Sequence, residues 1–227
     1  MANKKPQETD ELQSVDQALS TTEQFIEKNR RQIMIVFGAI IVVVVAIVLY
    51  SSYYVAPRNV TAADKLATCV RYFEQDSFAL ALNGDGANEG LAEIVDNYGV
   101  TETADLAAFY AGVCEYRLGN FEQAIKYLDR FDAKTVNLEP ANITLIGDCY
   151  VSLNDYNKAV KYFERAAAID NDLTAPRALN KAGICYEEMG NYTAAEKCYT
   201  TIKDKYFATQ LAGEMEKRIA RCQAMQK

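Results

Sequence analysis

Leu118-Gly119-Asn120-Phe121-Glu122-Gln123-Ala124-Ile125 returns as Leu153-Asn154-Asp155-Tyr156-Asn157-Lys158-Ala159-Val160, and again as Met189-Gly190-Asn191-Tyr192-Thr193-Ala194-Ala195-Glu196. The aligned alanines Ala124, Ala159 and Ala195 stand 35 and 36 residues apart, and a glycine precedes each by twelve: Gly112, Gly147 and Gly183. Each copy runs in the same order: an apolar helix, a tight polar turn holding Gly or Asn, an aromatic residue, and a second helix. A period of this length is that of a helix pair, and stacked pairs bury one continuous core. The small residues mark where the two helices of a pair cross closely. Tyr150, Tyr186 and the aromatics Phe121, Tyr156 and Tyr192 are expected to fill the space beside them.

The pattern resembles the tetratricopeptide repeat, with two departures: Glu115 stands where the family places a tyrosine, with Tyr116 beside it, and the family's closing proline is absent from all three copies. The resemblance implies an all-α chain, a right-handed tetratricopeptide repeat solenoid of helix hairpins preceded by one transmembrane helix. The repeats are expected at about 105–138, 140–173 and 174–207, after a divergent first pair at 61–99.

Composition bounds the rest. Half of the 227 residues are apolar, enough for a substantial core. Residues 1–32 carry five basic and six acidic side chains, leaving 19 basic against 25 acidic, so the folded part is acidic. No cluster of Lys and Arg interleaved with aromatics stands out, which argues against a nucleic-acid partner. Histidine is absent.

In chain order, residues 1–32 read as a polar, cytoplasmic tail. Leu12, Val15, Leu19 and Ile26 lie near one helical face, with Thr21 and Gln24 as a capping pair; a disordered tail is the competing reading. Ile33 to Tyr50 passes without a charge, long enough to cross the roughly 30 Å hydrocarbon core of a bilayer as a helix. A transmembrane helix is therefore expected over 33–54, with a linker at 55–60; a cleaved signal peptide and a buried core helix are the weaker readings. Lys28, Arg30 and Arg31 precede the span and only Arg58 follows it, while Tyr50, Tyr53 and Tyr54 suit the far interface. The positive-inside rule then places the N-terminus in the cytoplasm and the repeats outside.

Thr61 and Asp64 read as the cap of the next helix, striped by Leu66, Val70, Phe73 and Leu80. The loop Asn83-Gly84-Asp85-Gly86-Ala87-Asn88 lacks the full set of calcium ligands in any register and reads as a turn. At the far end, Phe207, Leu211, Met215, Ile219, Cys222 and Met225 mark a capping helix over 208–227, with Glu214, Lys217, Arg218 and Arg221 on its outer face. Cys114, Cys149, Cys185 and Cys222 recur at repeat spacing. Equivalent positions of stacked helices lie at least roughly 8 to 10 Å apart, too far for a disulfide, so these four are expected to be buried free thiols. The pairing of Cys198 with Cys222 stays open.

Catalytic signatures are missing: no Gly-x-Ser-x-Gly elbow, no phosphate loop, no Cys-x-x-Cys. Glu187-Glu188, as neighbours on a helix, point in different directions and read as a solvated face. Three Asn-x-Ser/Thr triplets, at Asn59, Asn142 and Asn191, receive no role. The expectation is a protein that is no enzyme, holds no cofactor or metal, acts on no small-molecule substrate, and binds other proteins. In the resembled family the groove is lined by the first helix of each pair. Carried over, this implies a protein-binding groove of Leu106, Phe109, Val113, Tyr116 and Arg117, then Thr144, Asp148 and Val151, then Arg177, Asn180, Ile184 and Glu187.

A short tail, one span and then repeats also resembles the ancillary subunits of the bacterial Sec translocon. That likeness implies a single-pass protein of the inner membrane with periplasmic repeats, meeting a membrane complex, a chaperone or an exported polypeptide. A cell-envelope scaffold for division or outer-membrane assembly is the alternative.

Overall fold

The computed structural model describes residues 7–132 and 138–226, with side chains from residue 28 onward. The chain divides into two units, Met1–Tyr54 and Val55–Lys227. Among the described residues every regular element is helical.

The first unit holds α1, Gln7–Tyr50. Thr21 and Gln24 lie inside this helix rather than at a helix start, and the apolar set Leu12, Val15, Leu19 and Ile26 falls on side chains outside the described ones. Ile33 to Tyr50 is exposed along its whole length, with Phe37 and Val42 about two-thirds open. By length and composition this helix can cross a membrane. A π-helical turn, Ser51–Val55, follows.

The second unit opens with α2, Ala56–Glu74. Residues 55–60, expected as a linker, are thus helical from Ala56. Pro57 sits in the first turn, where its missing N–H costs nothing, so it starts the helix instead of interrupting it. Thr61 is consequently interior; its hydroxyl donates to the Pro57 carbonyl at 3.1 Å and caps nothing. The stripe ending at Leu80 is also broken. Asp76 takes a left-handed φ of 55°, α2 stops, and a short α3 (Phe78–Asn83) carries Leu80 outward, 44% exposed. The loop to α4 (Leu91–Asn97) closes on itself: Gly84 and Gly90 approach so closely that a Cβ on Gly90 would strike Leu82 O and Gly84 N. Asp85 holds the loop by accepting from the Ala87 and Asn88 amides and from Tyr72 Oη at 2.7 Å.

Three regular hairpins follow: α5 (Glu102–Arg117) with α6 (Phe121–Leu128), α7 (Leu138–Ser152) with α8 (Tyr156–Ala167), and α9 (Ala175–Glu188) with α10 (Tyr192–Lys205). Their turns are built alike. Asn120 N, Asp155 N and Asn191 N each reach back to the carbonyl five residues earlier, Glu115, Tyr150 and Tyr186. Between them Gly119, Asn154 and Gly190 take left-handed φ values of 84°, 59° and 71°. This is the helix-ending motif that glycine or asparagine allows. The next residue starts the second helix: Asp155 accepts from Lys158 N and Asn191 from Ala194 N. Asn120 instead donates its amide to Glu115 Oε2 at 2.7 Å. Glu115, the departure from the family tyrosine, is thereby buried and paired across its own turn.

The glycines do admit a close crossing, and the expected aromatics pack beside the paired alanines while another residue fills the crossing itself. A Cβ on Gly112 would meet Leu128 Cγ at 2.5 Å, on Gly147 Phe163 Cε1 at 2.5 Å, and on Gly183 Tyr199 Cε1 at 2.5 Å. The filling residue stands sixteen positions on in every repeat and is fully buried. Tyr150 and Tyr186 pack to the side: Tyr150 stacks on Tyr162 at 5.3 Å, and Tyr186 Oη donates to Glu164 at 2.7 Å.

After a 3-10 turn (Gln210–Glu214), α11 (Met215–Met225) covers the apolar end of α10 with Met215 and Cys222. Two expectations fail here. Phe207 is 76% exposed in the turn before the helix, and Arg218 is turned inward against the last hairpin. All six cysteines are free and buried, Cys198 and Cys222 included.

Candidate protein-binding face

The first helices α5, α7 and α9 lie side by side along one face of the second unit. Short turns make each hairpin antiparallel, so the same positions recur from helix to helix: 109, 144 and 180; 113, 148 and 184; 116, 151 and 187. The residues expected in the groove are therefore in line, but they are not equally available.

On α5, Leu106, Phe109 and Tyr116 are half-buried in packing. Phe109 lies 5.4 Å from the Phe131 ring, and Tyr116 meets Phe121 edge-on at 5.7 Å. Burial, with the negative charge of Asp148 on α7, pushes the Tyr116 hydroxyl up from its ordinary pKa. Arg117 is exposed, its guanidinium 5.0 Å above Phe78 and 3.6 Å from Asp76. Val113 is half-buried.

On α7, Thr144 donates to its own helix at Pro140 O, 2.7 Å, and Val151 packs toward α8 and α9. Asp148 accepts from Lys181 Nζ of α9 at 2.6 Å. Burial outweighs that lysine, so the Asp148 carboxyl sits above the usual range.

On α9, Ile184 is 37% exposed and Arg177 is exposed with no ion pair among the described residues. Asn180 keeps a buried Oδ1 with no hydrogen-bond partner among them. Glu187 is the least available: its side chain is 10% exposed, and it accepts from Tyr199 Oη at 2.6 Å. Arg221 Nε lies 3.6 Å and Arg218 4.0 Å from it. Burial and the Glu187 hydrogen bond together push the Tyr199 hydroxyl well above its ordinary pKa.

Two polar links thus stitch the face: Lys181 to Asp148, and the α11 arginines to Glu187. Asp148 and Glu187 are occupied by neighbouring helices, and of the remaining members Arg117, Arg177 and Ile184 are the exposed ones. Lys181, Tyr199 and Arg218 belong to this arrangement and were not expected in it. Among the described residues no group of three or more His, Cys, Asp or Glu side chains could hold a metal.

The sequence matches the tetratricopeptide repeat family at residues 106–134, 142–173 and 176–202. Each of the three hairpins matches the tetratricopeptide repeat. Solved structures agree on the fold. The nearly identical TPR-like repeats of a kinesin light chain homologue from Podosopora anserina superpose with a TM-score of 0.56 at 13% identity, covering 72% of this chain and 85% of that one. MamA superposes at 0.53 with 17% identity, covering 73% and 91%. PcrH bound to the chaperone binding region of PopD gives 0.45 at 20% identity, covering 53% and 91%. A search of curated proteins finds no match.

Proposed function

We propose that this chain is a single-pass protein of the bacterial inner membrane, with a cytoplasmic N-terminus, whose periplasmic tetratricopeptide repeats bind other proteins beside the Sec translocon, linking it to chaperones or exported substrates. The observation that carries the membrane part is the fully exposed apolar run Ile33–Tyr50, which no protein surface covers among the described residues and which a bilayer would. Lys28, Arg30 and Arg31 on one side against Arg58 on the other favour this orientation. The binding part rests on the repeats and on the exposed members of the first-helix row, Arg117, Arg177 and Ile184, a small surface. Anchoring offsets its size, because partners confined to one membrane meet at effective concentrations that reach the millimolar range.

Two experiments test the reading. Protease added to spheroplasts digests the repeats if they face outward; their protection reverses the topology and removes the translocon reading with it. Photocrosslinking from position 184 in intact cells then identifies the partner. Translocon subunits, chaperones or exported chains support the proposal, whereas division or outer-membrane assembly proteins assign the chain to envelope scaffolding. The variant Arg177→Glu, at an exposed position of the same helix, is expected to fold normally and lose the crosslink from position 184. A folded variant that still crosslinks excludes the groove.

A further inference from the structure

The opposite kind of surface, the edge formed by the connections between hairpins, carries an apolar row of its own. Among the described residues, the connections that lead into α5, α9 and α11 fall on the same edge of the stack of antiparallel hairpins. Val100 stands in the one before α5, Leu173 in the one before α9 and Phe207 in the one before α11, and they are 53%, 54% and 76% exposed. Val136 holds the corresponding place in the sequence but lies outside the described residues. Turns usually place polar residues outward, so large apolar side chains recurring there at the repeat period call for a cover.

Two cavities open on this edge at equivalent starts of first helices. One, of about 160 Å³, lies between Gly99, Asp105, Ala108 and Arg130. The other, of about 370 Å³, lies between Leu173, Pro176, Arg177, Leu211 and the carboxylates of Asp172 and Glu214. Beside the second, Thr174 Oγ1 is buried without a partner among the described residues. Around the second, the two carboxylates outnumber the single cation, Arg177. Arg130 is already engaged by Asp96 and Val95 O. Asp105 has Glu102 and Asp132 as neighbours, and burial together with their negative charge raises its carboxyl pKa.

We propose that this edge docks a segment of another protein in which apolar side chains alternate with lysine or arginine, the apolar ones entering between Leu173, Pro176 and Leu211 with exposed Phe207 in the next connection, and the basic ones meeting Asp172 and Glu214. Charge decides among occupants. An acidic segment would add to the repulsion already present, and an anionic lipid surface would do the same, whereas a basic one relieves it. Exposed Phe207 is the aromatic anchor such an interface needs. The site shares Arg177 with the first-helix row but lies at the other end of α9 from Ile184, and it does not depend on the translocon reading.

The test uses the full chain in neutral-lipid nanodiscs with a fluorescent peptide of alternating lysine and valine, and its counterpart with glutamate for lysine. The lysine peptide is expected to bind at least about tenfold more tightly, with the difference shrinking as salt screens the carboxylates. Leu173→Ser with Phe207→Ser should remove the preference, and Asp172→Lys with Glu214→Lys should invert it. Ile184→Glu on the first-helix face should leave it intact. Equal binding of the two peptides, or unchanged binding by both edge variants, overturns the proposal. A Phe207→Cys variant labelled with a polarity-sensitive dye covers the remaining case: a blue shift on moving from detergent to nanodiscs, without peptide, would show lipid covering the edge and would overturn it too.

Discussion

Replacing Gly147 with alanine is expected to destabilise the repeats, although alanine is the better helix former by about 1 kcal/mol. The added Cβ would stand 2.5 Å from Phe163 Cε1, 2.8 Å from Cδ1 and 3.0 Å from Cζ. Carbon atoms rest at about 3.5–4.0 Å, so the overlap is about 1 Å against a fully buried ring that has nowhere to retreat. Overpacking of this kind costs about 3 kcal/mol at its upper end, and subtracting the helix-propensity gain leaves about 2 kcal/mol. For a folded unit of this size that lowers Tm by about 4–8 °C. The measurement is the thermal melt of the full chain in detergent, followed by circular dichroism at 222 nm. Gly147→Ala combined with Phe163→Leu should recover part of the loss, because a smaller side chain vacates the contact. The sign is decisive: an unchanged or raised Tm for the single variant would mean that α7 and α8 do not cross closely at this glycine.

Tyr199→Phe should loosen α11 by about 1.5–3 kcal/mol, since it removes a hydrogen bond to the enclosed Glu187 carboxylate, and hydrogen exchange in Met215–Met225 reads the effect. Loss of protection elsewhere but not there would contradict the assignment. Asp148→Asn is expected to raise Tm at neutral pH. The raised pKa of Asp148 means the folded protein holds the proton more tightly than the unfolded chain, so the wild type gains stability as pH falls through that value and the variant's advantage shrinks. A benefit that grows toward acid would refute the sign. The thiols of Cys69, Cys185 and Cys198, pushed up to about 11 by burial, and of Cys114 and Cys149, pushed up to about 12, should resist a thiol reagent at pH 8 in the folded protein and react together on unfolding.

The repeats were legible because three features coincide at one period: a glycine, a turn residue tolerant of left-handed backbone, and an alanine twelve positions after the glycine. The partner of that glycine was not legible. Leu128, Phe163 and Tyr199 differ in chemistry and share only a position, so no residue-type pattern exposes them. Pro57 misled for a related reason, since proline reads alike before a turn and in the first turn of a helix, and only the surrounding chain decides. The capping helix looked amphipathic from Phe207 onward because helical spacing continues through the turn at 206–209, where the backbone no longer follows it. The residues of the first-helix row lie on α5, α7 and α9, but which of them stay open depends on pairs such as Lys181 with Asp148, thirty-three residues apart, and no local pattern carries that information.

The stitches across the first helices bear on how the molecule answers to load. Hairpins that touch only their neighbours transmit tension in series, so a pull on a bound partner is felt at every junction equally and the weakest gives first. Every junction closes over an apolar seam, but the one between α7 and α9 adds the single Lys181–Asp148 pair, while the α11 junction adds Glu187 with Tyr199 and two arginines. A load on the stack therefore meets more polar contacts at its terminal coil than at the junction before it.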